Sequence, residues 1–118
     1  MEAKLAISLE ECLVGEELIR VTLEHSSIEL IFQQRGIQLF TVFQVKIPDK
    51  EYTEIDLFME SGMVNMLWNL IGISVKKIVI SSNFILTFNN NVHIICKRNE
   101  NRPVGTIQTL DLKTYDEF

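Results

Sequence analysis

The sequence predicts a mainly β fold of the α+β class, with an antiparallel sheet or half-barrel built from two tandem helix-plus-β-meander repeats. The first observation behind this prediction is that residues 13–32 and 70–88 share one pattern of apolar residues and glycines, once one residue is removed from the first turn. The second is that apolar and polar residues alternate within each copy with the two-residue period of a half-buried strand. The repeats are predicted at about residues 8–47 and 65–98.

A single domain covering residues 1–118 is expected from the length of the chain. Each copy of about 50 residues has too little apolar surface to be stable alone, which favours one shared core. Two sheets packed face to face are an alternative to one curved sheet.

A short helix is predicted at the start of each copy. Ser8-Leu9-Glu10-Glu11 has the S-x-x-E form of a capping box, in which the serine and the second glutamate bond to backbone amides. Asn65 takes the place of Ser8 in the second copy, and asparagine is also a good N-cap. Gly15 and Gly72 suit the left-handed backbone that ends a helix.

Three strands are expected after Gly15. The first two alternate over residues 19–24 and 28–33, and Gln34-Arg35-Gly36 is predicted to be a hairpin turn in which glycine takes a positive φ. The third strand is predicted from residue 37 to about residue 47. Because it has apolar residues on both faces, we expect it to be central or to bend from one packed layer to another.

The second copy is expected to repeat this meander, with strands at residues 75–81, 84–88 and 92–96. The turn at 89–91 is three asparagines, which tolerate the left-handed region better than most residues.

The remaining segments give weaker patterns. Residues 49–62 fit either a short strand or an irregular crossover between the halves. A polar loop at 97–103 precedes a possible last strand at 104–112, and the polar tail from residue 113 is expected to fray.

The net charge of −5 is unevenly distributed. Residues 1–60 carry twelve acids and five bases, whereas residues 61–118 carry four acids and six bases. An acidic half attracts a basic partner, although plain solubility also explains it. The first copy has four glutamates that the second lacks, so they are the candidate partner-binding residues, with drift on a solvated surface as the alternative: Glu16, Glu17, Glu24 and Glu29 correspond to Ile73, Ser74, Ser81 and Ile85.

No sequence motif indicates catalysis, a cofactor or a metal. Glycine-rich phosphate loops and the G-x-S-x-G elbow are absent. Cys12 and Cys96 fit no zinc spacing and are expected to be buried thiols rather than a disulfide. His25 and His93 are expected to be structural. The sequence therefore predicts a protein that is not an enzyme and has no cofactor.

Composition also argues against two kinds of partner. The net charge opposes direct binding of nucleic acid. No apolar run reaches the roughly 18–20 residues of a membrane span, and the first residues lack the features of a signal peptide. We therefore expect no membrane association and a cytoplasmic location.

The repeated pattern L-[VI]-G-x-x-[LV]-x-x-[VI]-x-[LI], followed by a hairpin ending in [IF]-x-L-x-F, covers roughly residues 8–97. It resembles small bacterial immunity proteins of polymorphic-toxin systems, including those of contact-dependent growth inhibition. The residues that carry the resemblance are core and turn residues: Leu13, Gly15, Leu18, Val21, Leu30 and Phe32, then Leu70, Gly72, Val75, Ile78, Leu86 and Phe88.

This resemblance implies a protein that binds a cognate toxin, often a nuclease, and blocks it without chemistry of its own. Many nuclease toxins are basic because they hold RNA or DNA, so carboxylates can take the place of phosphates on their surface. The alternative is a structural or regulatory β module that associates with itself or another protein through apolar residues at 63–68.

Overall fold

Alternating apolar and polar residues form ten β-strands in the computed structural model, which describes residues 13–24, 27–40, 43–48, 52–55, 65–109 and 115–118. The strands are β1 Leu18–Leu23, β2 Ile28–Phe32, β3 Arg35–Leu39, β4 Phe43–Lys46, β5 Tyr52–Ile55, β6 Val75–Ile80, β7 Asn83–Phe88, β8 His93–Lys97, β9 Gly105–Thr109 and β10 Tyr115–Glu117. The helix α1, Asn65–Trp68, is a single turn.

The ten strands form two antiparallel five-stranded sheets. Sheet 1 has the order β1-β2-β3-β9-β10, and sheet 2 has the order β5-β4-β8-β7-β6. Each sheet combines the three-strand meander of one copy with the two strands that follow the meander of the other copy. The mainly antiparallel β fold is confirmed, but two sheets take the place of the predicted single curved sheet or half-barrel. The two copies therefore exchange their last two strands, instead of each forming a separate part of the sheet.

The exchange explains the predicted third strand. Residues 37–47 were expected to form one strand, but β3 belongs to sheet 1 and β4 belongs to sheet 2. The buried side chains are Ile37 and Leu39 in β3 and Phe43 and Val45 in β4, whereas Phe40, directly after β3, is 39% exposed. This is the second of the two expectations for that segment, a bend from one packed layer to another.

The two meanders have matching registers. Leu18 pairs with Phe32 in the first, and Val75 pairs with Phe88 in the second. Each register then shifts by one residue at the same place, so Ile19 and Lys76 occupy matching β-bulges. The internal similarity of the sequence therefore corresponds to two β-meanders with the same irregularity.

The start of each meander is hydrogen-bonded to the other one. The Gly15 amide donates to the Val75 carbonyl oxygen at 2.8 Å, and the Gly72 amide donates to the Leu18 carbonyl oxygen at 2.7 Å. Both glycines have the positive φ that was predicted, 94° and 91°. These reciprocal bonds relate the two halves by an approximate two-fold axis, which passes near the bridge between Glu17 and Ser74.

The buried side chains of both sheets form one apolar cluster, so the two sheets share a core. Two aromatic pairs connect them directly. Phe32 and Phe88, which occupy matching positions, have ring centroids 6.4 Å apart. Phe84 of sheet 2 stacks on Phe118 at 4.3 Å, next to the end of β10. Such pairs contribute about 0.5–1.5 kcal/mol beyond the area that they bury.

The C-terminal segment contradicts the prediction of a frayed tail. Residues 115–117 pair with β9, and Phe118 is only 4% exposed. The Phe118 amide donates to the Gly105 carbonyl oxygen, and its own carbonyl accepts from Val104. The polar composition of this segment gave no indication of the edge strand β10 or of the buried aromatic residue that follows it.

Gly36 is a second correction. It lies inside β3, paired with Ile31 and Gln108, and does not have a positive φ. The bend precedes it at residues 33–34. In contrast, the predicted turn of asparagines is confirmed, since Asn91 has a φ of 65°.

Several predictions fall outside the described residues. These are the capping box at 8–11, the side chains of Cys12 and His25, and most of residues 49–62, of which only β5 is described. The helix of the first copy is therefore still a prediction. No helix among the described residues is long and apolar enough to cross a membrane.

Candidate partner-binding faces

Two of the four candidate glutamates lie on the outer face of sheet 1. In the β1–β2 hairpin, Glu29 is directly opposite Thr22, and Glu24 is two residues beyond Thr22 on the same side. Glu24 is exposed and Glu29 is half-buried. Glu117 of β10 lies on the same side. Neighbouring strands place Glu29, Gln38, Thr106 and Glu117 directly opposite one another, in a row across the sheet. We call Glu24, Glu29 and Glu117 the acidic face. The exposed cation Arg20, two residues before Thr22 and opposite Ile31, lies on the same side of the sheet.

The polar side chains around Glu29 are packed and hydrogen-bonded. Gln108 Nε2 donates to Glu29 Oε2 at 3.3 Å, and Gln38 Nε2 donates to Ser27 Oγ at 2.8 Å. Glu29 is thus held in place, and ordered carboxylates lose less entropy when they bind.

Glu16 and Glu17 do not belong to this face. They precede β1, seven or more residues from Glu24, and an extended strand of seven residues spans about 23 Å. Glu16 Oε1 accepts a hydrogen bond from the Gln34 amide at 2.7 Å, so its carboxylate stabilises the bend between β2 and β3. Glu17 is exposed beside the approximate two-fold axis. The structure therefore separates the four candidates into two places.

Glu117 was missed from the sequence because it reaches the acidic face through a strand pair, β3 with β9, that joins distant parts of the chain. A signal for it exists. Tyr52-Thr53-Glu54-Ile55 and Tyr115-Asp116-Glu117-Phe118 share the pattern Y-x-E-[IF], and their strands hold matching positions in the two sheets. The repeat thus continues beyond residues 47 and 98 to the last strand of each unit.

The outer face of sheet 2 has the opposite charge. Lys77, Thr87, His93 and Lys46 are directly opposite one another across four strands, and Lys97 is on the same side. We call Lys46, Lys77 and Lys97 the basic face.

A half-buried aliphatic row accompanies the basic face. It consists of Val79, Ile85 and Ile95, of which Ile85 matches Glu29 of the first copy. The exchanged strands bring both signs of charge: β10 adds Glu117 to sheet 1, and in sheet 2 β4 adds Lys46 while β5 places Glu54 opposite Gln44, on the Lys46 side of the sheet.

The groups that most often carry chemistry have structural surroundings. His93 Nδ1 is 2.8 Å from Thr87 Oγ1, its cross-strand neighbour. Cys96 is fully buried, and desolvation raises the pKa of its thiol to about 11, which makes it a poor nucleophile at neutral pH. Among the described residues, no group of three or more His, Cys, Asp or Glu could hold a metal ion.

Comparisons with known proteins do not assign the chain. No protein-family model matches it, and neither a curated protein nor a solved structure does.

Proposed function

We propose that this protein is an immunity protein that binds and neutralises a cognate protein toxin in the cytoplasm by surface complementarity, without chemistry of its own. The toxin domain that fits best is a basic nuclease. The observation that carries the proposal is the acidic face, on which Glu24, Glu29 and Glu117 share one side of one sheet. The resemblance of the repeated scaffold to immunity proteins gives the class of partner.

The charge distribution supports fast capture of such a toxin. A basic nuclease surface attracts carboxylates where it otherwise holds phosphates. Among the described residues, the outer face of sheet 1 carries three carboxylates against one cation, Arg20, and this excess of negative charge favours a cationic partner. Such steering raises association rates, and a toxin must be bound before it cleaves its substrate.

The glutamates have different roles in this proposal. Glu24 is exposed and extends beyond the hairpin, whereas Glu29 is presented by Gln108 in a fixed position. Glu17 is accessible to a partner that reaches the sheet junction. Glu16 contributes through the bend that it stabilises, because its carboxylate is already engaged by Gln34.

The helix-plus-meander form of the repeat belongs to the same proposal. The turn α1 precedes the second meander and leads to Gly72. A matching helix before Gly15 would give the first copy the same helix-plus-meander form, as the internal repeat of the sequence predicts.

The decisive experiment is co-purification with the toxin domain encoded beside this gene, at low salt, followed by an assay of toxin activity. We expect a stable complex and loss of toxin activity. A toxin domain that neither binds nor loses activity at low salt would contradict the immunity function.

Reversing the acidic face tests the mechanism. Glu24→Lys with Glu29→Lys should slow association with a basic toxin by about tenfold or more, because steering is lost, while the fold is retained. Stopped-flow association rates at low and high salt measure this. A second comparison uses single variants. Glu24→Lys changes the acidic face, and Glu100→Lys is its control, because it makes the same change of charge at an exposed site outside that face. An unchanged rate for Glu24→Lys, or equal slowing by both, would reject the acidic face.

The alternative is an interaction module that self-associates through apolar surface. It is favoured by three exposed side chains near the sheet junction: Ile19 is 51% exposed, Trp68 49% and Ile71 44%. The hydrogen bond from Gly72 to Leu18 places residue 71 beside β1. Mass measurements over a range of concentrations, with Trp68→Ser as the comparison, distinguish this alternative.

A further inference from the structure

A groove with a volume of about 1070 Å³ lies between the outer face of sheet 2 and the connection from β8 to β9, residues 98–104. Its walls carry three cations, Lys97, Arg98 and Arg102, against one acid, Glu100. Neither the acidic face nor the sheet junction contributes to it. The groove is therefore a separate feature with an excess of positive charge.

The connection that forms the groove is longer than the scaffold requires. In the first copy, residues 40–42 join β3 to β4 across the same approximate symmetry, whereas residues 98–104 join β8 to β9. The longer connection includes Arg98 and Arg102 and has no counterpart in the first copy. Its length and charge are thus specific to this side of the molecule.

Several hydrogen bonds hold the connection in place. Arg98 Nη1 donates to the Ser81 carbonyl oxygen at 2.9 Å, and the Arg98 amide donates to Ser82 at 3.2 Å. Asn99 Oδ1 accepts from the Asn101 amide at 2.8 Å. The cations are therefore presented on an ordered loop, which reduces the entropy lost when a ligand binds.

Phe40 adds an aromatic surface to the groove. The residue is 39% exposed, and its amide donates to the Val104 carbonyl oxygen at 2.9 Å, which fixes its backbone beside the loop. Cations bind phosphate oxygens through charge-assisted hydrogen bonds, and an exposed aromatic ring stacks on a nucleobase. The amides of Asn83 and Asn101 line the same groove and can bond to a sugar or a base edge.

We propose that this groove binds a nucleoside polyphosphate, with the phosphates against Lys97 and Arg102 and the base on the ring of Phe40. The groove, at about 1070 Å³, is slightly larger than the roughly 300–1,000 Å³ of most small-molecule sites, so it has room for a nucleotide with its phosphates. Inorganic polyphosphate shares the phosphate chemistry but lacks the base. The site is independent of the acidic face and of the proposed toxin.

The test titrates the purified full chain with ATP and, separately, with tripolyphosphate at low salt, followed by calorimetry and by backbone amide shifts. Lys97→Gln with Arg102→Gln should weaken binding of both ligands by about tenfold or more, since two charge-assisted contacts are lost. Lys76→Gln with Lys77→Gln is the matched control, because it removes the same charge from β6 at exposed positions outside the groove. Thermal melts verify that each variant is folded.

Phe40→Leu distinguishes the two ligand sources. This variant should weaken the binding of ATP by several-fold and leave the binding of tripolyphosphate unchanged, because only the nucleotide has a base to stack. Absence of ATP binding to the native chain, or equal losses in the groove and control variants, would overturn the site. Equal affinities for ATP and tripolyphosphate, with no effect of Phe40→Leu, would overturn the nucleotide and leave an adventitious anion surface.

Discussion

At the residue scale, side chains of the same type have different roles because their surroundings differ. Glu16 and Glu24 are both glutamates near the ends of β1, and sequence comparison with the second copy treats them alike. In the structure the Glu16 carboxylate accepts from the Gln34 amide, while Glu24 extends into solvent. A carboxylate bound to a backbone amide stabilises the fold, whereas an exposed one is available for a partner.

Replacing Glu16 should therefore cost stability. We expect Glu16→Ala to lower the free energy of unfolding by about 1 kcal/mol, because the Gln34 amide loses its acceptor. Glu17→Ala, at the neighbouring exposed position, should change it by less than about 0.5 kcal/mol. Urea unfolding of both variants measures the difference. Equal effects would show that the Glu16 bond is unimportant.

The buried thiol of Cys96 should make stability depend on alkaline pH. Its pKa is raised by burial from 9.0 to about 11. Below pH 9 the thiol is protonated in both folded and unfolded chains, so its full contribution to stability is present. Between about pH 9 and 11 the unfolded thiol ionises first, and the free energy of unfolding falls as pH rises.

This dependence can be isolated by substitution. In a Cys12→Ala background, Cys96→Ala should reduce the loss of stability between about pH 8 and about pH 10.5, measured by urea unfolding at each pH. Parallel pH curves for the two proteins would show that the thiol is not the cause.

At the element scale, the β9–β10 pair is closely packed where Gly105 meets Phe118. Gly105, the first residue of β9, has no side chain, and the ring of Phe118 occupies the space beside it. Backbone hydrogen bonds join Phe118 to Val104 and Gly105, and its ring stacks on Phe84 of sheet 2. In sheet 2 the matching position at the start of β4 is Phe43, which is itself buried. The two units thus place an aromatic ring in equivalent places from different strands.

Adding a single methyl group should expose this constraint. A Cβ on Gly105 would be 2.5 Å from the Gln38 carbonyl oxygen and 2.6 Å from Phe118 Cζ. Because backbone must move, Gly105→Ala should lower the free energy of unfolding by about 2 kcal/mol. Gly36→Ala is the control, since its nearest neighbour is the flexible Ile31 Cδ1 at 3.4 Å and its effect should stay within about 0.5 kcal/mol. A lower denaturant midpoint for Gly36→Ala than for Gly105→Ala would contradict this packing.

Sequence patterns predicted what is local and missed what is long-range. The alternation of apolar residues located the two meanders, and glycine chemistry located the stops at Gly15 and Gly72. Periodicity could not show that β3 and β4 belong to different sheets, because a strand that changes layers and one buried on both faces have the same composition. Glu117 was missed for the same reason, since its place depends on the pairing of Gln38 with Thr106, which are 68 residues apart in the chain.

For the whole molecule, strand exchange makes the two halves one unit. Each sheet needs strands from both copies, and the shared apolar cluster lies between them. If one meander unfolded, the other would lose the strands and core residues that pack beside it. We therefore expect a single cooperative unfolding transition.

A pair of matching core substitutions tests this coupling. Leu30 of sheet 1 and Leu86 of sheet 2 hold equivalent positions and are both fully buried. Each change to alanine should lower the free energy of unfolding by about 3 kcal/mol. The chain has one tryptophan, Trp68, so its fluorescence reports the start of the second copy. Leu30→Ala should shift the fluorescence midpoint as much as the circular-dichroism midpoint, and separate midpoints would indicate independent halves.

The approximate two-fold axis has a consequence for how such a molecule can diverge. Two identical single-unit chains that exchanged strands in this way would form a symmetric dimer, and every substitution would appear on both outer faces. Joining the units in one chain removes that obligation, so Glu29 can stand on one face while Ile85 stands at the same position on the other. One gene product can thereby present different side chains at matching positions of its two outer faces, which no homodimer of the unit could do.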